Sequence, residues 1–317
     1  MKLSLSATVR ILSVPVAAIA VLFLSACSNT AFQQTGSTLP AATVPAALLN
    51  SSNSDGVRRD TISTHELFVG EFGFKANYVA IYQNGTFKKI GKIKLGINHP
   101  YGAWVDSYGL YIANDFAPSI TEYSSPKSEP FTYNAGMSSP VAVTTDPLGN
   151  VFEGDIGYVN EYQQKINFVS TKCSVGGFVM GIANDGPNVF VAYMASPVLY
   201  IFEFTDFSGC KGHLLGVRLK GAPDAAAGMA IDKNHNIIIG EAGNQTVDII
   251  KPPYKAVSSY LAVLNYPTDV TINSANNRVW ITNPGGVFDV YYPSGKLVGS
   301  ILGPDAVSAV DGSNYVH

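Results

Sequence analysis

The amino-acid sequence predicts an all-β protein, a six-bladed β-propeller built from four-stranded antiparallel blades and closed by a C-terminal strand. Two observations lead to this prediction: an internal repeat, and incomplete repeats at the two ends of the repeating region that complement each other. In each copy an Asp or Asn follows an apolar run, at intervals of 40, 39, 47, 41 and 38 residues. Short strands repeating at this period are typical of propeller blades. The repeated positions are Asp106, Asp146, Asp185, Asp232, Asn273 and Asp311.

Each copy contains four predicted strands. An apolar first strand, such as residues 141–144, ends at the repeated Asp or Asn, whose side chain is suited to cap a tight turn. The predicted second strands are 67–71, 110–114, 151–155, 189–193, 237–241 and 279–283. The predicted third strands are 79–82, 120–123, 159–162, 201–204, 247–250 and 288–291. They alternate with a period of two residues, as half-buried strands do, and a more polar fourth strand such as 296–301 follows.

The ends of the repeat array indicate how the ring closes. The first copy begins near His65 and lacks a first strand, whereas residues 304–311 form a first strand that no blade follows. If the two incomplete copies join, they make one blade and remove an open sheet edge that would favour aggregation. The sequence therefore predicts five whole blades and one blade shared between the termini.

The motif at residues 140–152 resembles that of NHL-repeat and gluconolactonase-like six-bladed propellers. It reads Pro140-x-x-Val143-x-x-Asp146, then Gly149-Asn150-Val151-Phe152. The resemblance covers about residues 65–317 and implies the fold. It leaves two classes of function open, a binding or scaffolding module and a metal-dependent hydrolase or lactonase. The second is open because gluconolactonase-like propellers hold a catalytic divalent cation with Glu, Asn and Asp at the axis. A third class is a lyase similar to virginiamycin B lyase, but this sequence contains no matching set of His and Glu.

The N-terminal region predicts export. Residues 1–26 combine Lys2 and Arg10 with the apolar run 11–23, as signal peptides do. Leu24-Ser25-Ala26-Cys27 resembles the lipobox of bacterial lipoproteins, which implies that Cys27 becomes an acylated N-terminus, and Ser28 then favours the outer membrane. Residues 27–62 are predicted to be a flexible lipidated tether, and residues 63–317 the propeller.

Composition restricts the partners. Removal of residues 1–26 moves the formal net charge from −3 to −5, and the net charge therefore argues against a nucleic acid. The expected partners are the membrane, through Cys27, and a protein, glycan or small-molecule ligand at one propeller face.

Two further cysteines, Cys173 and Cys210, are expected to form a disulfide in an oxidising compartment. The alternative is that they lie toward opposite faces of their blades and stay unpaired.

The catalytic motifs of common hydrolase, nucleotide-binding and zinc sites are absent. His99 and His235 occupy different repeat positions and are interpreted as loop residues. The repeated aspartates lack the alternating acidic pattern of a calcium loop and are interpreted as turn caps.

One group of polar residues could form a site. Because they end the second strand of successive copies, they should face the same end of the propeller, where their oxygens suit a hard cation such as Ca²⁺ or Mg²⁺, or the hydroxyls of a sugar. The alternative is that each one only caps the turn into its third strand. The predicted polar ring comprises Glu71, Asn114, Asp155, Tyr193, Glu241 and Asn283. The sequence favours a binding or scaffolding module, with a divalent-metal-dependent hydrolase or lactonase as the alternative.

Overall fold

The computed structural model describes residues 62–73, 76–195, 197–220, 228–263, 267–275, 278–283, 287–302 and 306–311. The predicted signal peptide, the acylation site Cys27 and nearly all of the predicted tether lie outside the described residues. Within these ranges every regular element is a strand, and no helix is long and apolar enough to cross a membrane.

The described strands number 23 and form five antiparallel sheets, four of them four-stranded and one seven-stranded. In each sheet the strands are ordered as in the chain, except that the last strand lies next to the first. The first sheet contains β1 (Glu66–Gly73), β2 (Ala76–Gln83), β3 (Lys89–Ile93) and β23 (Ala306–Asp311). The second contains β4 (Pro100–Val105), β5 (Leu110–Asn114), β6 (Ser119–Tyr123) and β7 (Phe131–Tyr133).

The remaining three sheets follow in chain order. The seven-stranded sheet contains β8 (Ala142–Thr145), β9 (Val151–Gly154), β10 (Ile156–Tyr162), β11 (Val169–Asp185), β12 (Asn188–Ala195), β13 (Val198–Asp206) and β14 (Lys211–Lys220). The next contains β15 (Met229–Ile231), β16 (Ile237–Glu241), β17 (Thr246–Ile250) and β18 (Ser259–Ala262). The last contains β19 (Asp269–Ile272), β20 (Val279–Asn283), β21 (Val287–Tyr291) and β22 (Leu297–Leu302).

The long strand β11 differs from the sequence prediction, which separated a fourth strand from the next first strand. Its first half pairs with β10, with Cys173 opposite Val159, and its second half pairs with β12, with Ile182 opposite Val191. Gly176 and Gly177 separate the halves, a dipeptide that is typical of turns, but in the structure the backbone stays extended through them. Gly177 lies at the change of partner, where a Cβ atom would lie 2.1 Å from the Met194 carbonyl oxygen.

The C-terminal strand pairs with β1 as predicted. Val69 lies opposite Ala309 and Phe68 opposite Val310 in an antiparallel register. Leu67, Val69 and Ala309 are buried in one apolar cluster with residues of β2, β21 and β22. The two ends of the described chain are therefore joined by backbone hydrogen bonds and by a shared core.

The apolar faces of neighbouring sheets pack against each other to form the core. Between the first two sheets, Val79 and Ile81 of β2 contact the cluster that contains Leu110 and Ile112 of β5. The repeated aromatic position of the third strands is buried in every copy that carries one, which confirms its interpretation as core. These residues are Tyr82, Tyr123, Tyr162, Phe204 and Tyr291.

The turn prediction also holds for three of the aspartates that follow the first strands, Asp106, Asp146 and Asp232. Asp106 Oδ1 accepts hydrogen bonds from the backbone N–H groups of Tyr108 and Gly109, at 2.7 and 3.0 Å. Asp146 and Asp232 accept two backbone N–H groups in the same way. Their carboxylates are thus occupied by the turn that they stabilise.

In the structure Cys173 and Cys210 are joined in a disulfide, with their Cα atoms 5.4 Å apart. Cys173 is fully buried in the first half of β11, and Cys210 lies in the turn before β14. The bond connects the two halves of the seven-stranded sheet across 37 positions of the chain.

Deleting residues 304–317 should destabilise the domain, because it removes β23 and exposes the edge of β1. We expect aggregation or loss of cooperative unfolding, measured by light scattering and thermal melts. Deletion of residues 312–317 alone is the matched control, since it leaves the pairing intact. A 304–317 deletion that stays monomeric with an unchanged melting temperature would contradict closure through β23.

Candidate functional site

An axial cavity lies where the inner strands meet. It is lined by residues of, or next to, β4, β8, β11, β15, β19 and β23. Its volume is about 30 Å³, enough for one or two water molecules but not for a sugar or a metabolite. Small residues make up much of the lining and let the inner strands approach closely. They are Gly102, Ala103, Ala142, Gly181, Gly228, Ala230 and Ala309.

Asp269 is the acidic residue in the lining of this cavity. Its Oδ2 accepts a hydrogen bond from the Ala309 N–H at 3.1 Å, and its Oδ1 accepts one from the Val270 N–H at 2.9 Å. A Cβ atom on Gly228 would lie 2.0 Å from Oδ1, so the carboxylate occupies space that only a glycine leaves. Burial raises the pKa of Asp269 to about 7, and the two backbone N–H groups oppose that shift.

The sequence analysis did not single out Asp269, although the repeat contains a signal for it. Four residues before the repeated Asp or Asn, the other copies carry uncharged residues without polar side chains: Gly102, Ala142, Gly181, Gly228 and Val307. A carboxylate at a position that otherwise carries glycine or an apolar residue marks an exceptional environment. Here it connects β19 to β23, so it takes part in ring closure.

A second cavity of about 150 Å³ lies at the end of the propeller where the inner strands finish. Its lining includes Trp104, Asp232, Lys233 and Asn273. The Trp104 indole Nε1 donates a hydrogen bond to Thr145 Oγ1 at 2.8 Å, which fixes the ring. The cavity is smaller than typical small-molecule sites, which measure roughly 300–1,000 Å³.

Asp155 of the predicted polar ring is fully buried and already accepts five hydrogen bonds. Its donors are the Ser138 N–H and hydroxyl, the Ser139 N–H, the Ile156 N–H and the Tyr158 hydroxyl, at 2.6–3.0 Å. Both carboxylate oxygens are therefore used to hold the loop before β8. A cation could reach them only after several of these bonds broke.

Three other ring members also bond within their own sheet. Glu71 accepts hydrogen bonds from the Tyr82 hydroxyl at 2.9 Å and from Lys89 Nζ at 3.3 Å. Asn114 Oδ1 accepts the Asn98 N–H at 2.9 Å, which repeats the role of Asp155 one blade earlier. Glu241 Oε1 accepts Asn244 Nδ2 at 2.8 Å.

Tyr193, the ring member from β12, stacks on Tyr200 with the ring centroids 5.6 Å apart. The side chain of Asn283 lies outside the described residues. Asp155 and Glu241 contact the turn that follows them, as the turn-capping alternative expects, whereas the contacts of Glu71 and Asn114 lie elsewhere in their sheets. The shared site stays a prediction. Among the described residues, no three His, Cys, Asp or Glu side chains converge so that they could hold a metal ion.

The second strands finish at one end of the propeller, which we call the ring end. This end also carries an aromatic pair that sequence reasoning missed. The buried His99 imidazole and the Phe116 ring stack in parallel, with centroids 3.8 Å apart and planes 5° apart. Phe116 is nevertheless 67% exposed. Its only sequence signal is an apolar residue inside a polar loop.

Hydrogen bonds and an ion contact hold His99 in place. Its backbone N–H donates to Asn77 Oδ1 at 2.6 Å, and its Nδ1 lies 3.5 Å from Asp115 Oδ2. Asp115 Oδ1 accepts the Ser139 hydroxyl. His99 has a φ of 64°, a left-handed conformation that is uncommon for a residue with a side chain. Residues of three consecutive repeats thus converge around one histidine.

The second histidine considered, His235, is exposed and joins two blades. Its Nδ1 lies 2.8 Å from Asp185 Oδ2, so Asp185 differs from the turn-capping aspartates. Both histidines are loop residues, as the sequence predicted.

Several carboxyl groups buried among the sheets have raised pKa values. Burial raises the pKa of Glu153 well above its ordinary value, with a further contribution from the nearby Asp155 carboxylate. Burial raises the pKa of Asp248 as well, and the adjacent Glu241 adds to the shift. The folded state therefore favours the protonated form of these groups.

Replacing Glu71 and Glu241 by Gln and Asp155 by Asn should destabilise the fold without changing its response to cations. The amide NH₂ at position 155 would face N–H donors, at a cost of about 1–3 kcal/mol. We expect thermal melts of wild type and triple variant to differ by the same amount with and without added Ca²⁺ or Mg²⁺. A large cation-induced rise in the wild type that disappears in the triple variant would instead establish the ring as a cation site.

Stability should fall as the pH rises through neutrality. The folded pKa of Asp269, about 7, lies above its ordinary 3.8, so its stabilising contribution is complete below pH 3.8 and disappears as the pH passes 7. Denaturant unfolding at several pH values would measure this slope. Asp269→Asn, which mimics the protonated form, should reduce this slope, and the remainder comes from Glu153 and Asp248. Asp206→Asn at an exposed site should leave the slope near neutral pH unchanged. An unchanged slope in Asp269→Asn would contradict the assignment.

The comparisons with known proteins give the fold class. No family model and no curated protein matches the chain. A chain in the crystal structure of a nidogen/laminin complex superposes with a TM-score of 0.63 at 15% identity, over 77% of this chain and 97% of that chain. A protein of unknown function from Bacteroides caccae gives 0.60 at 14% identity, over 77% and 97%. A functionally unknown protein from Desulfotomaculum acetoxidans gives 0.53 at 14%, over 76% and 80%. At these identities the likeness concerns architecture alone, and the chain has an all-β, β-propeller fold.

Proposed function

We propose that this chain is a lipid-anchored, six-bladed propeller of the bacterial cell envelope, resembling NHL-repeat propellers, and that it acts as a binding or scaffolding module for a protein partner. The blade count follows if β11 supplies the last strand of one blade and the inner strand of the next. The seven-stranded sheet is then two blades, and the six strands that line the axial cavity are six inner strands. The anchor rests on the lipobox at Cys27.

The observation that carries a binding role is the exposed Phe116 ring on its buried His99 support. Exposed aromatic side chains that are already held in one orientation lose little conformational entropy on binding and are typical anchors of protein interfaces. The fixed histidine supplies that orientation here. One of the structurally similar proteins was itself crystallised in a nidogen/laminin complex, which agrees with a binding role for the fold.

The size of the axial cavity also supports a binding role over the hydrolase or lactonase alternative. With about 30 Å³ the axial cavity itself is too small to enclose a sugar or a metabolite. None of the contacts of the described residues favours the hydrolase or lactonase alternative, since the polar ring carboxylates are engaged in holding loops. A surface that recognises another protein needs no axial cavity.

A two-part experiment in cells tests this proposal. A photoreactive amino acid at position 116 should crosslink a protein partner, whereas one at position 168 should not. Phe168 is the matched control, because it is 70% exposed and lies in the loop after β10, at the opposite end of the propeller. Labelled palmitate should enter the wild type and not Cys27→Ser.

The outcomes separate the two halves of the proposal. Crosslinks at position 168 alone, or at neither position, would contradict a binding face at the ring end. A wild type that takes up no palmitate and is located like Cys27→Ser would contradict the anchor.

A further inference from the structure

The charge of the chain is unevenly distributed, although its net charge suggested no basic surface. From Phe72 to Val105 the sequence contains five lysines and neither Asp nor Glu, while the chain as a whole has an excess of acid. Four of these lysines lie in β3 or next to it, and we call them the lysine edge: Lys88, Lys89, Lys92 and Lys94.

The lysine edge faces solvent. β3 is the outermost strand of its sheet, and all four lysines are exposed. Lys89 contacts the buried Glu71 at 3.3 Å, whereas in the described part of the chain no carboxylate pairs with Lys88, Lys92 or Lys94. Ile90 and Leu95, about half exposed, lie among them. The edge therefore combines unneutralised ammonium groups with apolar side chains.

Protection of a sheet edge does not explain this composition. Lysines on edge strands do prevent the pairing of one sheet with another. The outer strands β7, β18 and β22, however, contain no charged residue in sequences FTY, SYLA and LVGSIL. A general need for edge protection would apply to them equally.

The outer strand β14 is also basic, but two of its described cations contact groups of their own sheet. Lys211 pairs with Asp206 at 3.0 Å, and the Arg218 guanidinium lies over the Tyr200 ring, 6.0 Å from its centroid. Lys92 also lies over a ring of its own sheet, 5.5 Å from the Tyr78 centroid. What distinguishes β3 is therefore the number of neighbouring lysines that have no carboxylate partner in the described part of the chain.

The blade that contains β3 is also the one to which the predicted tether connects. Ile62, at the start of the described residues, is buried in the cluster that contains Val79 and Ile81 of β2. A flexible chain of about 35 residues, the predicted length between Cys27 and this point, spans roughly 30–35 Å. An anchored protein would thus keep β3 within reach of the membrane surface, where anionic headgroups attract lysine ammonium groups.

We propose that the lysine edge is a membrane-contact surface that binds the phosphates of anionic lipids and orients the propeller on the bilayer. The orientation rests on the proposed lipid anchor, whereas the affinity of the edge for anionic lipid does not. Lys88, Lys92 and Lys94 supply the attraction, and Ile90 and Leu95 enter the headgroup region. Lys89 stays with Glu71.

Sedimentation with vesicles tests the proposal on the unacylated chain of residues 28–317, whose fold is checked by its thermal melt. The chain should bind vesicles that contain phosphatidylglycerol and not vesicles of phosphatidylcholine alone, and high salt should release it. Each lysine near an anionic surface raises the affinity for the vesicle about fivefold. The variant Lys88→Gln/Lys92→Gln/Lys94→Gln should therefore bind about 100-fold more weakly. Lys94→Gln alone should show the single step.

The matched control is Lys127→Gln/Lys251→Gln/Lys255→Gln, which changes the net charge equally at exposed positions of other sheets. It should bind like the wild type. Equal losses in both triple variants, or no binding of the wild type to anionic vesicles, would overturn the proposal. Binding to heparin with the same lysine dependence but not to vesicles would also overturn it and assign the edge to acidic polymers. Because no acyl chain is present, failure here is distinguishable from failure of the anchor.

Discussion

Close approach of the inner strands around one axis is the constraint on which the rest of the structure depends. Six strands can meet around so small a cavity because each of them except β19 contributes at least one glycine or alanine to its lining. The backbone of each inner strand then fixes its blade, and the apolar faces of neighbouring blades are brought into contact. Asp269 shows how strict this requirement is, since its carboxylate fits only against Gly228 and is tied to β23 by Ala309. The proposed binding surfaces accordingly lie on the ring end and on an outer edge.

Much of the fold could be predicted from the sequence, because the repeat reflects interactions between residues that are close in the chain. Alternating apolar residues indicated the second and third strands, and the second strands β5, β16 and β20 have the predicted bounds. The Asx residues indicated the turns. The uninterrupted β11 escaped prediction, because Gly176-Gly177 is typical of a turn, whereas the backbone stays extended there in the structure. The disulfide between Cys173 and Cys210 was expected from the predicted oxidising compartment, whereas the distance that allows it is not encoded by the repeat.

The candidate site was less predictable for the same reason. The polar ring residues were identified by position, but their hydrogen bonds come from loops whose course the repeat does not determine, as with Ser138 and Asp155. His99 and Phe116 lie in loops that β4 and β5 separate along the chain, and they meet only in the folded blade. The basic character of β3 was visible in the sequence from the beginning. The net charge of the whole chain did not reveal it, because it sums a positive segment and an acidic remainder.

The way the ring closes has a mechanical consequence for an anchored protein. A pull through the tether would reach the propeller just before β1, the strand that β23 holds by hydrogen bonds and packing alone. The seven-stranded sheet, by contrast, is reinforced by a covalent crosslink and by the continuous backbone of β11. Under load, the seam between the termini would part first while that sheet kept its shape. The pairing of β23 with β1 would then be the defined point at which the ring opens under force, and it could re-form when the force is removed.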